Sequence, residues 1–358
     1  MGGNGTVLEP TVSVDSPVGH AVDPERPANA TLSMDLARGS SVGRYVILDH
    51  LGAGGMGVVY RAYDPDLHRR VAIKLLHPDS SGGTTGSARM LREAQAMAQL
   101  SHPNVITIHD VGSVDDHIYL AMELISGRTL TQWLRDTPRP WSEVVDVFLQ
   151  AGRGLVAAHE KELVHRDFKP DNAMIDDAGR VRVMDFGLAR TTGVRAPAGT
   201  ALSDGLDGPT VPEPTPLNSE LTREGALMGT PAYMAAEQFA GLPADARTDQ
   251  FSFCVALWEG IHGARPFAGR GLAALGAAIT AGKVVEPERL EIPAAIDRAL
   301  RRGLSPDPDA RWPTLQDLLD ALAASARPKA RRATAPIAVL LAGGVGLGTW
   351  IVTARDDR

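Results

Sequence analysis

The sequence predicts an α+β fold in two parts, a strand-rich first part carrying one helix and a larger, mainly helical second part. Three observations predict it. Runs of β-branched and aromatic residues bounded by glycine recur between residues 45 and 122, the composition of half-buried strands. Apolar residues at helical spacing dominate from Trp141 onward. A chain of 358 residues with 44% hydrophobic side chains is large enough for two lobes with soluble cores. The formal charge of −7 argues against a nucleic-acid surface, which normally shows as a basic domain. The single cysteine, Cys254, excludes an internal disulfide framework. Set in an apolar run, it reads as a small buried hydrophobe in a reducing compartment.

Residues 1–43 are rich in Pro, Gly, Ser, Thr and Asp with no sustained apolar period, and a disordered leader is expected. No charged-then-apolar signal peptide is present in it. Tyr45-Val46-Ile47-Leu48 begins strand-like material that runs through Gly52-Ala53-Gly54-Gly55-Met56-Gly57 into Val58-Val59-Tyr60-Arg61-Ala62. Dinucleotide-binding folds share this glycine spacing, but there the glycines lead into a helix. Here β-branched and aromatic residues follow, so a hairpin lid with backbone N–H groups facing phosphates is expected. In Val71-Ala72-Ile73-Lys74, strand alternation puts Ala72 and Lys74 on one face. A lysine on the inner face of an apolar strand usually has a partner. A helix over 88–100 carries Glu93, and two strands are expected over 105–111 and 117–122.

The helical part opens with an amphipathic segment over 141–160. It leads to His165-Arg166-Asp167-Phe168-Lys169-Pro170-Asp171-Asn172. Two short apolar runs, 173–176 and 181–184, then flank Asp177-Ala178-Gly179 as a hairpin that delivers Asp185-Phe186-Gly187 opposite Asn172. These segments supply two metal-capable oxygens (Asn172, Asp185), one free carboxylate (Asp167) and a cation beside it (Lys169). Phosphoryl transfer needs little more: metal on the phosphates, a base to orient a hydroxyl, and charge to stabilise the transition state.

By the order and spacing of these motifs with the glycine loop, residues 44–324 resemble a bacterial eukaryotic-like serine/threonine protein kinase. The resemblance implies the two-lobed protein kinase fold, with an N-lobe over 44–124, a C-lobe over 125–324 and a long activation segment over 185–237. It implies ATP and Mg2+ as cofactors, with Mn2+ as a substitute, and protein substrates bearing Ser or Thr hydroxyls. Gly52, Gly54 and Gly57 would cover the phosphates. Val59 and Ala72 join the ATP-binding set, and Lys74, held by Glu93, would contact the α- and β-phosphates. Backbone groups of Glu123 and Ile125 would bond adenine. Asp167 would accept the hydroxyl proton, Lys169 would stabilise the transferring group, and Asn172 and Asp185 would hold magnesium. Lys169 two places after Asp167, together with Gly229-Thr230-Pro231, follows the Ser/Thr pattern.

Bacterial relatives often carry two threonines where this chain has Thr222 and Glu224, so Thr222 is the expected phosphosite and Arg166 the group that reads its phosphate. The usual Ala-Pro-Glu appears as Ala235-Ala236-Glu237. By the same resemblance Asp249 anchors the catalytic loop's backbone and Arg311 pairs with Glu237. Downstream, a basic linker over 325–332 precedes residues 333–354, which contain no charge. That length suits a single-pass membrane helix. More basic residues before it than after place the kinase domain in the cytoplasm, at a bacterial inner membrane, with 355–358 as an outer tail. Gly344 and Gly348 have the spacing of a helix–helix contact, which would make a homodimer. The rival is a pseudokinase or membrane-tethered scaffold that binds nucleotide and partners without catalysis. No member of the polar set is missing, which argues against it. A receptor with an outer sensor finds only four residues beyond the apolar stretch.

Overall fold

Strand alternation builds the first lobe of the computed structural model, which describes residues 35–55, 57–77, 83–115, 117–186, 230–287 and 292–326. Strands β1 (Ser41–Val42), β2 (Tyr45–Gly54), β3 (Gly57–Asp64), β4 (Arg69–Leu76), β5 (Ile108–Val114) and β6 (His117–Glu123) form one antiparallel sheet in the order β1-β2-β3-β4-β6-β5. One face of β4 buries Val71, Ile73 and Leu75 with Tyr45, Ile47 and Tyr60. Its other face turns Ala72 toward Ile106 and Met122. Helix α1 (Gly83–Ala98) packs against β5 and β6 and buries Met90, Ala94 and Met97 on one stripe.

The expected strand over 105–111 begins later, at Ile108. Residues 104–106 run instead beside β9 (Val181–Val183): Ile106 N–H donates to Val183 O and Val183 N–H to Asn104 O, both at 2.9 Å. The apolar run therefore serves two sheets in succession. A helix passes directly behind it, α3 (Trp141–His159), at Gly154. A Cβ at Gly154 would lie 2.3 Å from Asn104 O, so only glycine permits this approach.

In the second lobe, β7 (Gly127–Thr129), β8 (Ala173–Asp176) and β9 form a small antiparallel sheet in sequence order. Thr129 and Gln132 cap α2 (Leu130–Asp136) reciprocally, at 3.2 and 3.0 Å. Short α4 (Ala236–Phe239) precedes α5 (Ala246–His262), the lobe's central helix. Residues 248–258 of α5 are all buried, as expected for a helix enclosed on every side. Asp245 caps its start by accepting the Arg247 and Thr248 amides, and Gly263, at φ 68°, ends it in the left-handed region. Helix α6 (Leu272–Thr280) packs on α4, while α7 (Ala294–Gly303) and α8 (Leu315–Ala326) pack on α5. Cys254 is fully buried in α5, and burial pushes its thiol pKa far up. Among the described residues, no helix is long and apolar enough to cross a membrane. The expected span over 333–354, residues 327–332 of the linker before it, residues 1–34 of the leader and Thr222 lie outside the described residues. Ser325 and Ala326 close α8 instead of opening the linker, and Ser41–Val42, near the end of the leader, form β1 instead of being disordered.

Candidate active site

Between the lobes lies a cleft of about 1110 Å³, lined by the glycine hairpin, Ala72, Lys74, residues 122–127 and the loop from Asp167 to Asn172. Its apolar part is a sandwich: Ala72, Ile106 and Met122 are buried, with Val59, Leu124, Ile125 and Met184 packed against them. A flat aromatic base would fit between such walls, next to the main chain of residues 123–125. The hairpin above places Gly52, Ala53 and Gly54 opposite Val59, Val58 and Gly57. Gly57 sits at φ 150° with Leu75 O only 2.1 Å from where a Cβ would lie, whereas Gly52 and Gly54 face open space.

Asp249, buried on α5, shapes the loop that carries Asp167. Its carboxylate accepts the backbone amides of His165 and Arg166, each at 2.7 Å, and meets His159 Nε2 at 2.7 Å. Three bonds to one buried carboxylate fix the loop's entry and hold Arg166 at φ 65°, a conformation unusual for a side chain with a Cβ. His165 reaches the other way, its Nε2 meeting Met184 O at 2.8 Å, and its ring packs on Phe168 and Phe186. Its Nδ1 lies 3.4 Å from the Asp167 amide N, so the ring bridges Met184 and Asp167 through both nitrogens.

The functional groups converge one layer further out. Lys169 Nζ lies 2.9 Å from Asp167 Oδ2. Asn172 Nδ2 donates to Asp167 O at 2.8 Å, which leaves its Oδ1 as an acceptor or ligand. Met184 N–H donates to Asn172 O at 2.8 Å, so the β8–β9 hairpin does bring Asp185 beside Asn172. Asp185 adopts φ 58°. Its Oδ1 lies 2.7 Å from Lys74 Nζ, a contact that the sequence does not name for this lysine. β4 aims Lys74 into the cleft, and α1, which carries the half-buried Glu93, packs on β5 and β6.

The far wall is held by charge. Arg311 forms a two-pronged pair with Glu237, both bonds at 2.8 Å, and is itself 0% exposed. Its remaining donors reach Ser305 O, Arg247 O and Pro306 O. Thr248 Oγ1 donates to Glu237 Oε1 at 2.8 Å. Burial alone would raise the Glu237 pKa, but Arg311 outweighs it and holds the carboxyl below its ordinary range. Thr230 opens the 3-10 turn Thr230–Tyr233 leading to this wall.

Sequence reasoning missed several groups that the structure makes central: His159, Asn104, Gln238 and Arg182. Arg182 ties the hinge to the β8–β9 hairpin, its Nε 3.2 Å from Glu123 Oε1 and its Nη1 2.9 Å from Asp176 Oδ2. Each acts through a backbone group or a distant partner, and no local pattern announces that. Among the described residues no cluster of three His, Cys, Asp or Glu side chains would hold a metal by itself. The Asn172 and Asp185 oxygens suit a hard cation that shares its shell with phosphates.

Residues 45–335 match the protein kinase domain family. Serine/threonine-protein kinase PrkC of Bacillus subtilis is 31% identical over 279 residues, which is 77% of this chain and 39% of that protein. Serine/threonine-protein kinase PknD of Mycobacterium tuberculosis is 32% identical over 284 residues, 78% of this chain and 39% of that one. The chain thus spans well under half the length of these relatives. The crystal structure of the Mycobacterium tuberculosis PknI kinase domain superimposes with a TM-score of 0.58 at 25% identity, covering 81% of this chain and 100% of that one.

Proposed function

The chain belongs to the protein kinase domain family, and from that premise we propose that it transfers the γ-phosphoryl group of ATP to Ser and Thr hydroxyls of proteins, including its own activation segment. The observation that carries this reading is the convergence on one cleft of Asp167 with Lys169, Asn172, and Asp185 with Lys74. Asp167 orients the acceptor hydroxyl and takes its proton as the oxygen–phosphorus bond forms and the bond to the β-phosphate oxygen breaks. Lys169, 2.9 Å from that carboxylate, is placed to balance charge on the transferring group. Lys74 holds the phosphates from above, and the hairpin amides of residues 52–57 cover them.

Asn172 Oδ1 and the Asp185 carboxylate are the donors that would hold Mg2+, with Mn2+ as a substitute. A bound divalent cation would neutralise phosphate charge and fix the γ-phosphoryl group in line with the attacking oxygen. Thr222 is the proposed phosphosite and Arg166 the proposed reader of its phosphate. For residues 333–354 we propose a single-pass anchor that leaves the kinase domain in the cytoplasm, supported by 22 uncharged positions behind four basic residues. Pairing through Gly344 and Gly348 would bring two kinase domains together.

The test is incubation of purified protein with labelled ATP and a generic protein acceptor, beside an Asp185→Asn control. Label on Ser and Thr in the wild type and a near-complete loss in the control is the expected outcome. Equal labelling, or none in either, overturns the reading.

A further inference from the structure

Gln238 lies on α4, immediately after the Glu237 that Arg311 holds, and it is buried. Its two ends do different work. Oε1 accepts the Ala235 amide at 3.0 Å, within its own turn. Nε2 leaves that element and donates to Arg166 O at 2.9 Å. That carbonyl belongs to the peptide unit whose amide nitrogen is Asp167 N, and Asp167 N–H points to His165 Nδ1 at 3.4 Å. The preceding amide, Arg166 N–H, is taken by Asp249. Arg166 stands at φ 65° between these anchors.

We propose that Gln238 is a positioning residue for the reaction: it fixes the Arg166–Asp167 peptide plane and so the direction in which the Asp167 carboxylate points. The inference rests on the kinase reading above and deepens it. Asp249 fixes the amide before Arg166, and only the long 3.4 Å contact of Asp167 N–H with His165 Nδ1 resists rotation of the next peptide about the Arg166 Cα–C bond. Rotation of that plane carries the Asp167 side chain with it. Gln238 stops the rotation from the opposite side, and Oε1 keeps its amide group turned the right way by accepting Ala235 N–H. The clamp also joins two parts of the chain. Gln238 sits where the chain returns from the long segment before Thr230, so the placement of that returning end and the aim of Asp167 become one structural variable.

Two variants of similar side-chain size separate this role from packing. Gln238→Met removes the donor, and Gln238→Glu puts a second acceptor against Arg166 O. Misplacement of a catalytic group by about 1 Å costs on the order of a hundredfold in rate. The expected result is a fall in kcat of about tenfold to a hundredfold in both variants. KM for ATP and ADP affinity should stay within about twofold, because no nucleotide contact is touched. Hydrogen exchange of the peptide spanning 164–168 should quicken in the Gln238→Met protein, a readout that needs no catalysis. If Gln238→Glu does not fold, Gln238→Met decides alone. Unchanged kcat, unchanged exchange over 164–168, or parallel losses of nucleotide affinity and thermal stability overturn the proposal. An inactive wild type would sink the kinase reading instead, while the exchange measurement would still decide the clamp.

Discussion

Asp167 and Glu237 are both buried carboxylates beside a cation, yet they call for opposite expectations. Asp167 faces the cleft, and its partner Lys169 is partly exposed. Asp167→Asn should keep ADP affinity within about twofold while kcat falls by on the order of a thousandfold, in line with the loss of a general base. Calorimetric nucleotide binding beside a transfer assay checks both halves. Glu237 is 7% exposed and its partner Arg311 is 0% exposed, so removing one leaves the other buried without a counter-charge. Glu237→Ala should cost about 3–5 kcal/mol in chemical unfolding, whereas cutting the exposed Arg247–Asp309 pair should cost at most about 1 kcal/mol. The pH dependence has a definite sign. The Glu237 carboxyl is held below its unfolded value, so its stabilisation is complete above the unfolded pKa of about 4.3 and lost as pH falls through the folded value. Urea midpoints measured from pH 7 down to pH 3 should fall less steeply for Glu237→Ala than for the wild type. At this scale the sequence was most readable where a motif names chemistry. Asp167, Asn172, Asp185, Asp249 and the Glu237–Arg311 pair lie where spacing and resemblance put them. The 2.7 Å contact of Lys74 with Asp185 was not readable, because strand alternation says which face Lys74 takes and not what lies across the cleft from it.

Hairpins and helices carry the next level of constraint. The glycines of the lid are not equivalent. At Gly57 a Cβ would meet Leu75 O at 2.1 Å and the backbone has φ 150°, whereas Gly54 faces open space. Gly57→Ala must therefore push β3 away from β4 at Leu75, the neighbour of Lys74. It should raise KM for ATP about tenfold or more, since small misplacements of positioning groups are costly, while Gly54→Ala should stay within about threefold of the wild type. Steady-state kinetics on the two variants compare them directly, and equal KM values would contradict the distinction. Element legibility followed the strength of the period. Strands rich in β-branched residues, such as β3 and β4, and the long amphipathic α3 stand close to their expected bounds. Residues 104–106 did not, because an apolar run has no mark showing where it changes from one sheet to another. Helix α2 was missed although Thr129 and Gln132 carry a capping box. At 7 residues, that helix is too short to show a convincing period.

At the scale of the whole molecule, the question is what sets the angle between the lobes on either side of the proposed nucleotide cleft. The chain crosses at residues 123–127, and a connection of that kind is intrinsically bendable. Glu123 counters the freedom. Its Oε1 accepts the Thr107 amide at 2.9 Å from the first lobe and meets Arg182 Nε at 3.2 Å on the β8–β9 hairpin of the second. Arg182 in turn meets Asp176, whose carboxyl is held down to about 2 by the Arg180 amide first and the Arg182 side chain next. Because Arg182 and Asp185 belong to the same short stretch, this latch ties the hinge to the placement of the carboxylate proposed to hold the metal. Arg182→Met keeps the aliphatic stem and removes both ion pairs. The two lobes should then sample wider angles, and ADP affinity should fall by about fivefold to twentyfold, a coupling of about 1–2 kcal/mol. Stability should drop less than in Glu237→Ala, since Glu123 keeps its bond to the Thr107 amide. Calorimetry of ADP binding, paired with small-angle scattering of the nucleotide-free protein, measures both effects. Unchanged affinity with an unchanged scattering profile would show that the hinge is stiff without Arg182 and that the latch has no part in setting the cleft.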